Sequence, residues 1–307
     1  MSSKLHFLGT GCMVPTKERN HLSVALEHNG SIYLFDCGEA TQNQIKKMKL
    51  PIGKIKKIFI SHWHGDHVLG LSGLIQTLSN TDNVDKIEVY GPKNSKKYMK
   101  CVLNSSFFES KIPITTYEFD PKDDEVIEII KNKKITISCA KLNHSIDCLG
   151  YSFKENDTLN IDIEKAKKYG ITQSPVLARA KLGLNIEHNN KIIQNKDLTY
   201  KKEGLKVSFI FDTRPCNEIK LLAENSDYLV MEATYIYETH KNKAEEYDHM
   251  SAKETAEIAL EIGVKNLIIT HFSQRYKDVK DIENEAKETF ENTTSTHDLM
   301  TLKLKKN

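Results

Sequence analysis

The chain has 307 residues, 39% of them hydrophobic and 28% charged, with 14 Gly and 7 Pro. This excludes a collagenous or broadly disordered chain and supplies a sizeable core, for one large α/β domain or two small ones. Lys and Arg total 44 against 42 acidic residues, a net +2 that by itself argues against a nucleic-acid partner.

No run approaches the roughly eighteen apolar residues of a membrane span. The segment Met1 to Gly9 lacks a charged region followed by an apolar stretch, so it does not read as a secretory signal. Six cysteines (Cys12, Cys37, Cys101, Cys139, Cys148, Cys216) lie far apart, without a C-x-x-C pair. They read as reduced, mostly buried thiols, and the protein as cytoplasmic with no membrane association.

In chain order, strands are expected at Leu5 to Gly9, Leu22 to Glu27 and Ser31 to Asp36, the last two joined by the turn His28-Asn-Gly30. Glu39 to Lys49 fits a helix ended by Pro51 and Gly53. The strand Ile55 to Ile60 runs into Ser61-His-Trp-His-Gly-Asp-His67, and Val68 to Leu78 has helical apolar spacing. Next come a strand at Lys86 to Tyr90, a helix at Ser95 to Leu103, and strands at Ile114 to Phe119, Val126 to Ile130 and Ile135 to Ala140. Lys154 to Lys206 breaks the alternation, with eleven basic and seven acidic residues, a local +4. Alternation resumes with strands Val207 to Phe211 and Tyr228 to Glu232 around the helix Asn217 to Glu224. Ser251-Ala-Lys-Glu254 is a capping box opening a helix to Ile262, stopped by Gly263, and the strand Leu267 to Thr270 ends on His271. The pattern predicts two sheets sandwiched between helices, with Asp36, His62, Asp212, Glu232 and His271 placed where ligands collect, just after strand ends.

His62, His64, Asp66 and His67 put three imidazoles and a carboxylate into six residues. Such donors suit Zn²⁺, Mn²⁺ or Fe, and burying them without a metal costs several kcal/mol. Four donors this close cannot comfortably reach one ion, so two are expected: His62 and His64 on one, Asp66 and His67 on the other. His144, Asp212 and His271 follow other strands and complete the set. The two oxygens of Asp212 make it the natural bridge between metals about 3.5–4 Å apart. A lone histidine is more often a satisfied core residue, and His6, His21 and His297 read that way.

The motifs resemble the metallo-β-lactamase superfamily and, more narrowly, the ribonuclease Z family of tRNA 3′ endonucleases. They run through nearly the whole chain: Phe7-Leu-Gly-Thr-Gly11, Arg19-Asn20, Asp36-Cys-Gly-Glu39, Ser61 to Gly73, His144, Asp212-Thr-Arg-Pro215, Glu232-Ala-Thr234, His249-x-Ser251 and Thr270-His-Phe-Ser-x-Arg-Tyr276. The His249 and His271–Tyr276 segments carry the narrower resemblance. It implies an αββα sandwich holding two zinc ions, with Mn²⁺ or another divalent metal as substitute. His62, His64 and His144 would hold one, and Asp66, His67 and His271 the other, bridged by Asp212.

The resemblance further implies cleavage of precursor tRNA to leave a 3′-hydroxyl. Asp66 would be the proton acceptor and His249, oriented by Glu232, the general acid. Arg19, Asn20, Ser273, Arg275 and Tyr276 would bind substrate phosphates. It also implies a homodimer in which an inserted arm, residues 154–206 of a single catalytic domain 1–307, clamps the tRNA of the partner subunit. The arm departs from the family pattern: Ser174-Pro175 to Leu182 stands where a Gly-Pro is usual, and Ala40 replaces a common glycine. A small-molecule phosphodiesterase, a thiolesterase or lactonase on the same fold, and a non-enzymatic metal binder are the competing readings. The near-zero charge conceals local basic surfaces, the arm and the acid-free run Lys46, Lys47, Lys49, Lys54, Lys56 and Lys57 leading to the metal site, offset by acids such as Asp120 to Glu128.

Overall fold

The computed structural model describes residues 3–171 and 175–306. Ser174 of the quoted arm stretch, and Met1 and Ser2 of the N-terminal reading, lie outside the described residues. The described chain separates into two compact units. The larger comprises 1–129, 137–153 and 206–307, and the smaller 130–136 and 154–205.

The first sheet of the larger unit begins with β1 (Ser3–Gly9), β2 (Ser23–His28) and β3 (Ser31–Phe35). After α1 (Thr41–Lys47) come β4 (Ile55–Phe59), α2 (Gly65–Val68), α3 (Leu71–Ser79), β5 (Ile87–Pro92), α4 (Ser95–Leu103) and β6 (Ile114–Phe119). Next in the chain are β7 (Val126–Lys131), β8 (Ile135–Leu142) and β9 (Cys148–Glu155). The smaller unit contributes β10 (Thr158–Ile161), α5 (Ile163–Lys168), α6 (Pro175–Lys181), β11 (Ile186–His188), β12 (Lys191–Ile193) and β13 (Thr199–Lys202). The chain continues through β14 (Lys206–Ile210), α7 (Asn217–Ala223), β15 (Tyr228–Glu232), α8 (Tyr237–Glu246) and α9 (Ala252–Glu261). It ends with β16 (Leu267–Thr270), α10 (Lys280–Thr289), β17 (Thr293–Ser295) and β18 (Met300–Leu304).

Two seven-stranded sheets result, in the orders β18-β1-β2-β3-β4-β5-β6 and β17-β16-β15-β14-β9-β8-β7. Alternation along each strand assigns the two faces. Leu34, Ile58 and Ile60 pack with Ile45, Leu74 and Met99 of α1, α3 and α4. Phe35 and Phe59 point the other way: Phe35 stacks on Phe209 of the second sheet at 3.7 Å, and Phe59 meets Tyr151 at 5.4 Å. On the outer side of the second sheet, Leu229, Met231 and Ile269 pack with Leu222, Ala256 and Ile282 of α7, α9 and α10. This is the αββα sandwich, its central layer glued by aromatic rings.

The expected helix Glu39 to Lys49 starts later, at Thr41, because Ala40 adopts a left-handed turn with φ +68. The expected helix Val68 to Leu78 is two helices. Its break falls at Gly70, where a Cβ would lie 2.1 Å from the carbonyl oxygen of Gly38, so only glycine fits that approach. The capping box at Ser251 forms fully with Glu254.

In the smaller unit, β10 pairs with β13 and β11 with β12, both antiparallel. Asp162 caps α5 by accepting the Lys165 N–H at 3.1 Å. Ala166, Ile171, Ala180, Ile186, Ile193 and Leu198 form a small core of its own.

Candidate metal centre and active site

Each strand that points toward the site delivers a polar residue just past its end: Asp36 after β3, His62 after β4, His144 after β8, Asp212 after β14 and His271 after β16. Asp36 and His271 both hold left-handed backbone, φ +54 and +63, a strain typical of functional positions. His62, His64, His144 and Asp212 offer donor atoms within 4.8 Å of one another. So do Asp66, His67, Asp212 and His271, which makes Asp212 common to both groups. The structure therefore brings together all seven residues expected as metal ligands.

Outer hydrogen bonds fix how the imidazoles face. The Asp36 carboxylate is fully buried. It accepts the Ser61 N–H and the Ser61 hydroxyl, each at 2.7 Å, and the His67 Nδ1–H at 2.7 Å. His67 Nε2 is thereby left as a lone pair facing the site. The Ser61 hydroxyl, having donated to Asp36, accepts the His62 Nδ1–H at 3.0 Å, which turns the His62 Nε2 lone pair inward. His144 does the same by donating Nδ1–H to the Asp248 carbonyl at 3.1 Å. His62 Nε2 and His144 Nε2 then converge on His64 Nδ1 at 3.0 and 3.3 Å. Carboxylate or carbonyl behind imidazole is the arrangement that orients metal-binding histidines.

The donor set fits divalent metal. Asp66 Oδ1, His67 Nε2 and Asp212 Oδ1 are buried without a hydrogen-bond partner, which is costly unless a cation meets them. Burial, then the charge of nearby His67, pushes His62 well below the ordinary histidine range, leaving its lone pair available. His67 goes the other way. Burial opposes its charge, but the carboxylates of Asp212, Asp66 and Asp36 hold it well above that range. A pocket this negative takes up a cation, as protons when metal is missing.

Beside the two groups, Glu232 organises a third feature. Its carboxylate, fully buried, accepts the Thr213 N–H at 2.7 Å, the Thr234 hydroxyl at 2.6 Å and the Met250 N–H at 3.1 Å. It also accepts the His249 Nδ1–H at 3.2 Å, which leaves His249 Nε2 as the ring's outward atom. Burial works against a charged His249, yet Glu232 and Asp212 hold it well above the ordinary range. So held at the edge of the cavity, His249 can give a proton.

The residues expected to grip substrate divide. The Arg275 side chain is exposed on the cavity wall, and its guanidinium has no hydrogen-bond or ion-pair partner among the described residues. Ser273 lines the same cavity, its Oγ accepting the Arg275 N–H at 3.4 Å. Arg19 is instead 7% exposed, donating Nη2 to the carbonyls of Ser273 and Tyr276 at 3.2 and 2.5 Å. Asn20 is tied to Asp298 through backbone and side chain, each at 2.8 Å. The Tyr276 hydroxyl accepts the Ile236 N–H at 3.0 Å and meets His240 Nδ1 at 2.8 Å. Arg19 and Tyr276 brace the 273–276 loop, with Arg19 Nε left buried and unpartnered, while Asn20 is committed to Asp298.

Asp36, Thr234 and Arg214 are additional supports. Their signal was their place just past a strand end or within a quoted motif. Arg214 bonds the His249 carbonyl and pairs with Glu254 at 2.8 Å. Cys12, expected to be a plain core thiol, lines the cavity. His6 is satisfied structurally, by Thr301 and Glu27, whereas His21 bonds the Met13 carbonyl through Nε2 and keeps Nδ1 buried without a hydrogen-bond partner.

The lysine run expected to lead to the metal site does so only in sequence. Lys54, Lys56 and Lys57 lie at the start of β4 beside Gly30 and Ser31, whereas the metal-type residues follow its far end. Lys56 and Lys57 are also paired with Asp85 and Glu88. Lys54, Lys56 and Lys57 are therefore not a substrate surface at the site.

Residues 3–171 match the family model described as anti-Pycsar protein Apyc1, which stops before Asp212, Glu232, His249 and His271. Ribonuclease Z of Methanothermobacter thermautotrophicus is 35% identical over 302 residues, 97% of this chain and 96% of the relative. Ribonuclease Z of Methanococcus maripaludis is 40% identical over 285 residues, 92% of this chain and 91% of the relative. Among solved structures, the short form of human tRNase Z aligns with TM-score 0.71 and 26% identity, covering 97% of this chain and 98% of its own. The metallo-β-lactamase fold protein YhfI from Bacillus subtilis, 16% identical with TM-score 0.69, shares the fold alone and covers 99% and 100%. Matched almost end to end by such relatives, the chain belongs to the ribonuclease Z family of the metallo-β-lactamase fold.

Proposed function

We infer that the chain is a metal-dependent endoribonuclease that removes 3′ trailers from tRNA precursors and leaves a 3′-hydroxyl on the tRNA. The observation that carries this is the pair of ligand groups sharing Asp212, with the Glu232–His249 acid beside them, in a ribonuclease Z chain. His62, His64 and His144 would hold one divalent ion, zinc in our reading, and Asp66, His67 and His271 a second, with Asp212 between. Bound there, the ions would activate a water and neutralise the charge gathering on the phosphate.

The chain's own groups do the rest. Asp66, held through Oδ2 by the Met13 N–H at 2.7 Å, would be the proton acceptor for the attacking water. His249 delivers its Nε2 proton to the departing 3′ oxygen, with Glu232 keeping the ring in that tautomer. Arg275 and Ser273 meet the phosphate from the cavity wall. Arg19 and Tyr276 contribute by holding the loop that presents them, and Asn20 by its tie to Asp298.

Residues 154–205, which form their own core and carry the local positive charge, act as the arm that holds the tRNA body. The protein works as a homodimer in the cytoplasm, where its substrate is made. No described helix is long and apolar enough to cross a membrane. The arm separates this reading from that of a small-molecule phosphodiesterase. Deleting residues 154–201 should abolish cleavage of precursor tRNA and spare hydrolysis of bis(p-nitrophenyl) phosphate. Equal loss of both activities would make the segment part of the catalytic core.

A further inference from the structure

The cavity over the ligand groups encloses about 400 Å³, a volume typical of small-ligand sites. One wall is the turn from α8 into α9, residues 246–249. Asp248 turns the chain there through a left-handed conformation, φ +56, so that Tyr247 and His249 line the same space.

The turn is rigid. The His249 N–H donates to the Ala244 carbonyl at 2.8 Å, and the Asp248 carbonyl takes the His144 Nδ1–H at 3.1 Å. Arg214 holds the His249 carbonyl. On this fixed backbone Tyr247 stays 48% exposed, whereas neighbouring Tyr235 is 6% exposed. The Lys243 ammonium lies 5.9 Å from the centroid of the Tyr247 ring and leaves about half of the residue open to the cavity and solvent.

We propose that Tyr247 is the stacking platform for the base of the nucleotide that carries the leaving 3′ oxygen. This rests on the tRNA 3′ endonuclease reading. The 3′ oxygen belongs to the last nucleotide of the tRNA body, and His249 must reach it. That nucleoside therefore lies against the wall built from His249 and Tyr247.

Charge favours a base over a phosphate at this spot. Glu246 and Asp248 adjoin Tyr247 in the chain and line the cavity, and together they outweigh the single Lys243 ammonium over the ring, so the balance disfavours a phosphate. Their oxygens can accept from a 2′-hydroxyl or an exocyclic amino group. Arg275, with its free guanidinium, takes the phosphate instead. Stacking tolerates any base, because every base presents a π face.

The test measures single-turnover kcat/KM on three precursor tRNAs: intact, abasic at the last body nucleotide, and abasic at the first trailer nucleotide. From typical stacking strengths, the wild type should lose about 5- to 150-fold on the abasic-body substrate and keep full activity on the abasic-trailer one. Tyr247→Ala should lose a similar factor on intact precursor and nothing further on the abasic-body substrate. Tyr247→Leu, which keeps bulk without a π face, should behave like Tyr247→Ala, and Tyr247→Phe like wild type. A loss in Tyr247→Ala that multiplies with the abasic-body loss, or no loss at all, overturns the assignment. So does coupling to the trailer base instead. A wild-type enzyme that binds metal yet cleaves none of the three refutes the tRNA reading, and this subsite with it.

Discussion

Replacing Asp36 by Asn tests how the metal centre is oriented from behind. The carboxylate accepts three hydrogen bonds, two of them on Oδ2, from the Ser61 hydroxyl and from His67 Nδ1–H. In Asp36→Asn the Oδ1 position keeps the Ser61 N–H, but an NH₂ replaces the double acceptor. The new donor faces the His67 Nδ1–H, so the ring must shift its proton to Nε2, the atom aimed at the metal. Loss of such an outer partner costs about 10- to 100-fold in metal affinity. At a fixed metal concentration this removes about 1.4–2.7 kcal/mol of metal-linked stability, since each decade is worth about 1.4 kcal/mol. The metal-induced rise in Tm should shrink by on the order of 5 °C for a chain of this size. The assay is chelator-competition titration of wild type and variant, with Tm recorded with and without metal. A folded Asp36→Asn protein with unchanged metal affinity would refute the claim that Asp36 sets the His67 tautomer.

His249→Ala should keep its metal content and lower kcat by about 10²–10⁴-fold on precursor tRNA, as general acids do; metal loss would make His249 a ligand. Ala40→Gly should stabilise the protein by about 0.5–1 kcal/mol in urea unfolding, because Ala40 sits at φ +68 where a Cβ is strained. Asp227 gives a pH signature. Burial opposes its charge, but the Lys206 N–H and the ammonium groups of Lys265 and Lys306 hold its carboxyl below the ordinary range. A carboxylate lowered in the folded state stabilises above its unfolded pKa of about 3.9 and loses that contribution as pH falls through the folded value. The stability gap between wild type and Asp227→Asn should therefore be constant above about pH 5 and close below about pH 4.

The clustering of the metal-type donors was legible because each follows a strand whose apolar pattern marks its end. Asp212 and His271 are found by the same rule as His62, although they lie far away in the chain. The commitments of Arg19, Asn20 and Tyr276 were not legible, since their partners are backbone carbonyls, amides and a distant Asp298 that leave no local pattern. Helix α8 was missed because Ala244 is its one buried residue, so no apolar stripe marks it. Strand β18 was missed because it pairs with β1 across nearly the whole chain. The lysine run misled because nearness in sequence to His62 was read as nearness in space. A strand separates its own two ends by about 3.3 Å per residue.

The most direct test of the central claim uses chelator-stripped protein, a precursor tRNA with a 3′ trailer, and divalent metal added back, with product 3′ ends sequenced. The expected result is no cut without metal and, with it, a single cut at the trailer junction that leaves a 3′-hydroxyl on the tRNA. Cleavage that persists in the stripped protein, or metal-restored protein that leaves the precursor intact while hydrolysing small phosphodiesters, would contradict it.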